Sequence, residues 1–216
     1  MKYYVGLDVS VKETSVCIVN QDGDIIAEKS VLSEPENIDQ YLQTHAIKYE
    51  RVGVEAGCLT PWLYHELTAL KLPVICIETR HAKAAMSAQN IKTDKNDARG
   101  LAHIMRTGWY KIVHVKSDKS QKTRVLLNNR KCLQSKALDV ESQIRGTLKV
   151  FGHKVGAVTV KNFEHRIREL IEDNAELMLY IEPLLTIRCQ LRTACGLMVH
   201  IMSMHKEKYK IKSIVK

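Results

Sequence analysis

Nowhere in the 216 residues is there a run approaching the roughly 18 consecutive apolar residues of a membrane-spanning helix, so no membrane location is expected. The opening Met1-Lys2-Tyr3-Tyr4 lacks the long apolar region of a secretory signal, and export is not expected either. Six cysteines (Cys17, Cys58, Cys76, Cys132, Cys189 and Cys195) are scattered without a Cys-x-x-Cys pair. That pattern argues against a zinc site or a disulfide framework and suits reduced thiols in the cytoplasm. No longer internal repeat is present. Apolar residues are not scarce, however. At 45% hydrophobic and 26% charged the composition is ordinary for a folded chain, and the length suffices for one large domain or one and a half.

Charge is unevenly placed. Residues 1–110 hold 12 Lys and Arg against 14 Asp and Glu, a net of −2, while residues 111–216 hold 21 against 10, a net of +11. A mildly acidic first half joined to a strongly basic second half suggests a reaction centre beside a polyanion-binding surface. A helical bundle with a lysine-rich solvated face has the same charge split.

Two short stretches share one grammar. Val5-Gly6-Leu7-Asp8-Val9-Ser10 and Val52-Gly53-Val54-Glu55-Ala56-Gly57 are each apolar, with a glycine two places before an acid. Both suit central strands. Side chains alternate along a strand, so Gly6 and Asp8 share one face and Val5 and Leu7 the other. The glycine is expected to leave open space beside the acid for a metal ion or a phosphate oxygen. Side by side, the two strands would present both carboxylates at one edge. The acids are equally explained as the points where buried strands re-enter solvent.

Between these strands, Asp22-Gly23 separates two β-rich runs, 14–20 and 25–32, and signals a hairpin. Strands one to three should therefore be antiparallel neighbours. Ser33-Glu34-Pro35-Glu36 reads as a capping box opening a helix towards Thr44, and Thr60-Pro61 as the cap of a helix to about Leu70. Val74 to Ile77 is a fifth strand, and His81 to Ser87 a short helix or turn. Next, Thr93 is a plausible N-cap that puts Asp94 and Asp97 in the first turns of one helix, on the same face. The helix dipole alone accounts for acids at such positions. From Ser120 to Phe151, Leu126, Leu133 and Val140 recur every seven residues, a coiled-coil-like seam. A second helix is expected from Phe163 to Ile181, stopping before Pro183, then a further helical run from Leu184 to Met204. The lysine-rich tail from Lys206 shows no clear element. The domains follow as 1–112, an α/β unit; 113–190, a basic helical region; and 191–216, the tail.

Four acids stand out: Asp8, Glu55, Asp94 and Asp97. Close carboxylates raise one another's pKa, and a divalent cation removes that cost. Magnesium takes oxygen ligands, and a pair of such ions can serve both the attacking and the leaving oxygen of a phosphodiester. The basic residues Lys122, Arg124, Arg130, Lys131, Lys136 and Arg145 are candidates for nucleic-acid contact. Affinity through them should fall steeply with salt, by about 0.9 log units per contact for each log unit of salt on duplex DNA.

Gly6-Leu7-Asp8-Val9-Ser10, Gly53-Val54-Glu55-Ala56-Gly57 and Lys92-Thr93-Asp94-Lys95-Asn96-Asp97-Ala98 resemble the three motif blocks of the DEDD transposases of the insertion sequence 110 family, relatives of the Piv/MooV site-specific recombinases. The similarity covers roughly residues 3–190. It implies a ribonuclease-H-like, RuvC-like domain with a mixed sheet and flanking helices, followed by a coiled-coil helical hairpin. It also implies a catalytic, metal-binding tetrad, by match Asp8, Glu55, Asp94 and Asp97, using magnesium or manganese. The resemblance further implies DNA as substrate, at element ends and target, a structured non-coding guide RNA, a homo-oligomer, and a cytoplasmic, nucleoid-associated location. Family members continue into a glycine-rich domain with a nucleophilic serine. After about Arg192 the sequence does not align with that domain, so the serine's role transfers to neither Ser203 nor Ser213, and a truncated copy is the expectation.

The function expected is DNA transposition or site-specific recombination by metal-dependent phosphodiester chemistry. The alternatives are a non-catalytic nucleic-acid-binding remnant of such an enzyme, or an actin-like or sugar-kinase-type ATPase. Gly6-Leu7-Asp8 with Asp22-Gly23 also resembles the first phosphate loop of the latter superfamily, but no second glycine-rich phosphate segment follows.

Overall fold

Tyr3–Val9 forms a strand, β1, with neighbours on both sides and cover on both faces, as its mostly apolar sequence requires. The computed structural model describes residues 1–78 and 93–214, the last ten by their backbone alone, and the chain divides into two units at Lys116/Ser117. In the first unit β1 is joined by β2 (Glu13–Asn20), β3 (Ile25–Leu32), β4 (Tyr49–Glu55) and β5 (Val74–Ile77) in the order β3-β2-β1-β4-β5. Successive strands β1, β2 and β3 pair antiparallel, whereas β4 and β5 run parallel to β1. This mixed sheet with helices on both faces is the ribonuclease-H-like arrangement expected from the sequence. The β2–β3 turn falls at Asp22-Gly23, with Gly23 at φ +98°. Asn20 organises it: its side-chain oxygen accepts from the backbone N–H groups of Asp22, Gly23 and Asp24.

Alternation along the strands divides the core in two. On one face Val5, Leu7, Val16, Ile18, Val52 and Val54 pack against Ile38 and Leu42 of α1 (Pro35–Gln43) and Leu63 and Leu67 of α2 (Thr60–Ala69). On the other, Tyr4, Cys17, Val19 and Ile77 pack against Ala98, Leu101, Ala102 and Met105 of α3 (Asp94–Thr107). Two expected caps take other roles. Neither α1 nor α2 has a side-chain cap. The Ser33 hydroxyl donates instead to the Ser10 carbonyl and pairs with the buried Thr14 hydroxyl. Thr60 donates to the Glu55 carbonyl and accepts from the Gly57 N–H. Both hydroxyls pin the chain where it leaves β1 and β4, because Ser33 and Thr60 are buried and a buried polar group needs a partner more than an exposed helix end does. The helix or turn expected at His81 to Ser87 lies outside the described residues.

The second unit comprises α4 (Asp118–Val150), α5 (Phe163–Leu170) and α6 (Ala175–Ile214). Ile144 and Leu148 of α4 meet Phe163 and Ile167 of α5 and Leu177, Ile181 and Leu185 of α6 in one core. Two expectations are corrected here. The helix from Phe163 breaks at Ile171 to Asn174 and restarts at Ala175, where the Asn174 side chain accepts from the Leu177 N–H. It then runs through Pro183 and on through the tail to Ile214, which was expected to carry no element. Proline removes one donor, which would have bonded the carbonyl of Leu179, and Leu179 lies on the exposed side of the helix at 73% exposure. The apolar stripe Leu177, Ile181, Leu185 crosses the proline unbroken and holds both halves to one core. No helix among the described residues is long and apolar enough to cross a membrane.

Candidate active site

The register of β1 on β4 pairs Gly6 with Gly53 and Leu7 with Val54, so the next residues, Asp8 and Glu55, stand level on adjacent parallel strands. Neighbouring strands lie about 4.8 Å apart, which makes the two acids side-by-side neighbours on one face. Both are half-buried. Beyond them the chain is tied down on each strand, by Ser10 donating to the Glu13 carbonyl at 2.6 Å and by Thr60 on the Glu55 carbonyl at 2.6 Å.

The helix acids reach the same edge from above. Thr93 caps α3 by accepting from the Asn96 N–H at 3.2 Å, as expected. At the far end Gly108 takes the left-handed conformation (φ +74°), and Arg51 donates to the Met105 carbonyl at 2.8 Å. Ala98 and Ala102 lie over Gly6, Met105 lies over Gly53, and Arg106 reaches the Gln21 carbonyl in the β2–β3 turn. The helix therefore runs antiparallel to β1, its first turn at the edge where Asp8 ends. Asp94 and Asp97 continue the stripe of Ala98, Leu101 and Met105 by one turn, which turns them towards the sheet. Asp97 is half-buried and Asp94 exposed.

The two glycines have a different purpose from the one expected. A Cβ on Gly6 would lie 2.1 Å from the Ala98 carbonyl and 2.4 Å from the Ala102 N, and one on Gly53 2.5 Å from Met105 Cγ. The space beside the acids is filled by α3 itself. Glycine is needed there so that the helix carrying Asp94 and Asp97 can approach the sheet that carries Asp8 and Glu55.

The four acids thus share one edge, but they are not gathered about one point. Among the described residues, no three His, Cys, Asp or Glu side chains are placed to hold a metal ion together. Asp8 and Glu55 are adjacent in the strand register, and Asp94 and Asp97 sit in the first turn of α3. In kind the donors fit a hard divalent cation, since all are carboxylate oxygens. The close seating of α3 on Gly6 fixes where the helix donors enter.

A fifth acid escaped the sequence reading. Glu28 on β3 pairs in register with Cys17, which pairs with Gly6, so it faces α3 from two strands away. Its carboxylate, 13% exposed, receives Arg99 Nε and Nη2, the latter at 2.8 Å, and Lys95 Nζ at 3.1 Å. The Arg99 fork holds this carboxyl down at about 2, against burial, with Lys95 assisting. An ordinary glutamate lies near 4.5 when unfolded, so the folded state binds this proton later. The stability Glu28 contributes is complete above that value and is lost as pH falls towards 2. Lys95 is well exposed, so water screens part of this grip and its contribution is about 1–2 kcal/mol. Acid unfolding followed between pH 5 and 2 should show this loss in the unmodified chain, and a flatter profile in Glu28→Gln.

The basic candidates belong to α4. Lys122, Arg124, Lys131 and Lys136 are exposed, with Lys122 2.6 Å from Asp118 and Lys136 3.3 Å from Asp139. Arg130 is half-buried. Arg145 is engaged within the unit: it donates to the Gly156 carbonyl at 2.8 Å and lies 5.1 Å over the Phe163 ring.

A family model of DEDD transposases of insertion sequence 110, described as a transposase, matches residues 5–153. Among solved structures, the Thermus thermophilus RuvC structure is similar at a TM-score of 0.39 and 14% identity, over 51% of this chain and 99% of that one. T. thermophilus RuvC in complex with Holliday junction substrate is similar at 0.37 and 13%, over 52% and 100%. No curated protein matches the chain.

Proposed function

The chain belongs to the insertion sequence 110 family of DEDD transposases, and from that membership we propose that it cleaves and rejoins DNA through metal-dependent phosphodiester chemistry at the edge of its sheet. One observation supports this reading: Asp8 and Glu55 stand level on adjacent strands, and the helix that carries Asp94 and Asp97 begins at the same edge of the sheet. Asp8 and Glu55 would hold a divalent cation, magnesium or manganese, from the strands, and Asp94 and Asp97 from the first turn of α3. When bound, such an ion polarises a phosphodiester and activates the attacking oxygen. The remaining work falls to the chain's own residues. Thr60 and Ser10 fix the strand ends, and the Gly6 and Gly53 contacts seat the helix donors.

The exposed cations of α4 would bind the phosphate backbone, which positions nucleic acid without reading its sequence. The DNA of the element ends and target, a structured guide RNA, and a homo-oligomer are the partners we infer from the family. Incubation with branched or element-end DNA and magnesium should yield nicked strands, and Asp8→Asn should abolish them while leaving DNA retention intact. Retention without nicking by the unmodified chain would favour the non-catalytic reading.

A further inference from the structure

Helix α3 bears its chemistry on two flanks. At 100° per residue, Asp94, Ala98, Leu101 and Met105 make the sheet-facing stripe, with Asp97 on one side of it and Lys95 and Arg99 on the other. The two cations are one turn apart and converge on a single carboxylate, that of Glu28. Arg99 also reaches the Asn96 side-chain oxygen at 3.3 Å, which links this grip to the first turn itself. Glu28 lies on an edge strand whose other side chains are mostly exposed, so nothing in the packing of β3 calls for a buried carboxylate.

The seat on Gly6 and Gly53 fixes how near α3 lies to the sheet, but small and apolar contacts resist rotation about the helix axis weakly. A forked, charge-assisted pair on one flank resists it directly, because turning the helix breaks both hydrogen bonds together. We propose that Glu28 is a positioning residue: by gripping Lys95 and Arg99 it sets the rotation of α3, and so aims Asp94 and Asp97 at the edge where Asp8 and Glu55 stand. The inference rests on the metal reading above. Glu28 holds no ion itself. It acts on ions through the helix that carries their ligands, as outer partners of metal ligands commonly do.

The test is manganese binding by titration calorimetry on the full chain, in four forms: unmodified, Glu28→Gln, Arg99→Lys and Ile38→Val. Ile38 is buried on the opposite face of the sheet, so Ile38→Val reports what lost stability alone does to affinity. Glu28→Gln should weaken manganese about 10–100-fold per folded molecule, the usual cost of losing such a partner, and Ile38→Val by less than about twofold. Arg99→Lys, which keeps the charge and loses the fork, should fall between them. Cleavage should lose kcat with little change in KM for DNA, as expected for misaimed ligands rather than a damaged DNA surface. Glu28→Gln that binds manganese as tightly as the unmodified chain would overturn the positioning role and leave the metal site standing. Glu28→Gln and Ile38→Val weakened alike would also overturn it, by reducing Glu28 to ordinary stability. Failure of the unmodified chain to bind manganese would instead overturn the metal reading and this inference with it.

Discussion

Gly6→Ala is expected to push α3 off the sheet and destabilise the first unit at or above the upper end of the roughly 1–3 kcal/mol that overpacking usually costs. The added methyl would meet backbone, the Ala98 carbonyl at 2.1 Å and the Ala102 N at 2.4 Å, and backbone in a helix cannot step aside alone. Gly53→Ala meets the flexible end of Met105 and should cost less. Gly146, inside α4 one turn before its C-terminal end, has nothing within 4 Å of its missing Cβ, and alanine there should stabilise the helix by roughly 0.5–1 kcal/mol. Urea midpoints of the three variants should therefore rank Gly6→Ala lowest, then Gly53→Ala, with Gly146→Ala above the unmodified chain. A Gly6→Ala midpoint equal to that of the unmodified chain would show that the helix does not sit where the strand acids need it.

In the helical unit the largest effect should come from Glu141. One of its oxygens accepts Arg188 Nε at 2.7 Å and Arg192 Nη2 at 2.8 Å, and both side chains of the Glu141–Arg188 pair are nearly closed off from water. Arg188 also donates to the Val160 carbonyl at 2.6 Å and lies 4.6 Å over the Phe163 ring, so it ties α6 to α4 and to the loop before α5. Glu141→Ala leaves that guanidinium buried without its counter-charge, and such a break costs about 3–5 kcal/mol. Replacing Glu141 and Arg188 together with apolar residues of similar size should restore most of the loss, because the buried guanidinium is removed with its partner and the charge left behind, Arg192, is 24% exposed and can turn to water. Thermal melts followed by helical circular dichroism would show an early transition in Glu141→Ala and its recovery in Glu141→Leu/Arg188→Met. Two equally unstable variants would mean that packing, rather than charge, holds this junction.

What the sequence disclosed follows from the range of each signal. Alternation and the Asp22-Gly23 turn are local, and they led to the right sheet, the right faces and the level placement of Asp8 with Glu55. The Thr93 cap and the spacing of Asp94 and Asp97 are local as well. The reason for Gly6 was not, since an intervening helix nearly a hundred residues later occupies the space that seemed open. Ion pairs such as Glu28 with Arg99, 71 residues apart, leave no periodic trace, and neither does Glu141 with Arg188, 47 apart. Pro183 misled because its cost depends on whether water can reach the carbonyl of Leu179, a fact of burial rather than of sequence.

The central claim is that the acids at the sheet edge hold a divalent cation, and a magnesium titration of the melting temperature tests it most directly, with Asp8→Asn alongside. A ligand bound by the native state alone stabilises it by about 2.7 kcal/mol at a hundredfold excess over Kd. The unmodified chain should melt progressively higher as magnesium rises, while Asp8→Asn, relieved of one charge at the edge, should start no lower and stay flat. Identical responses in the two proteins, rising or flat, would contradict the account and leave Asp8, Glu55, Asp94 and Asp97 as strand-end and helix-cap residues only.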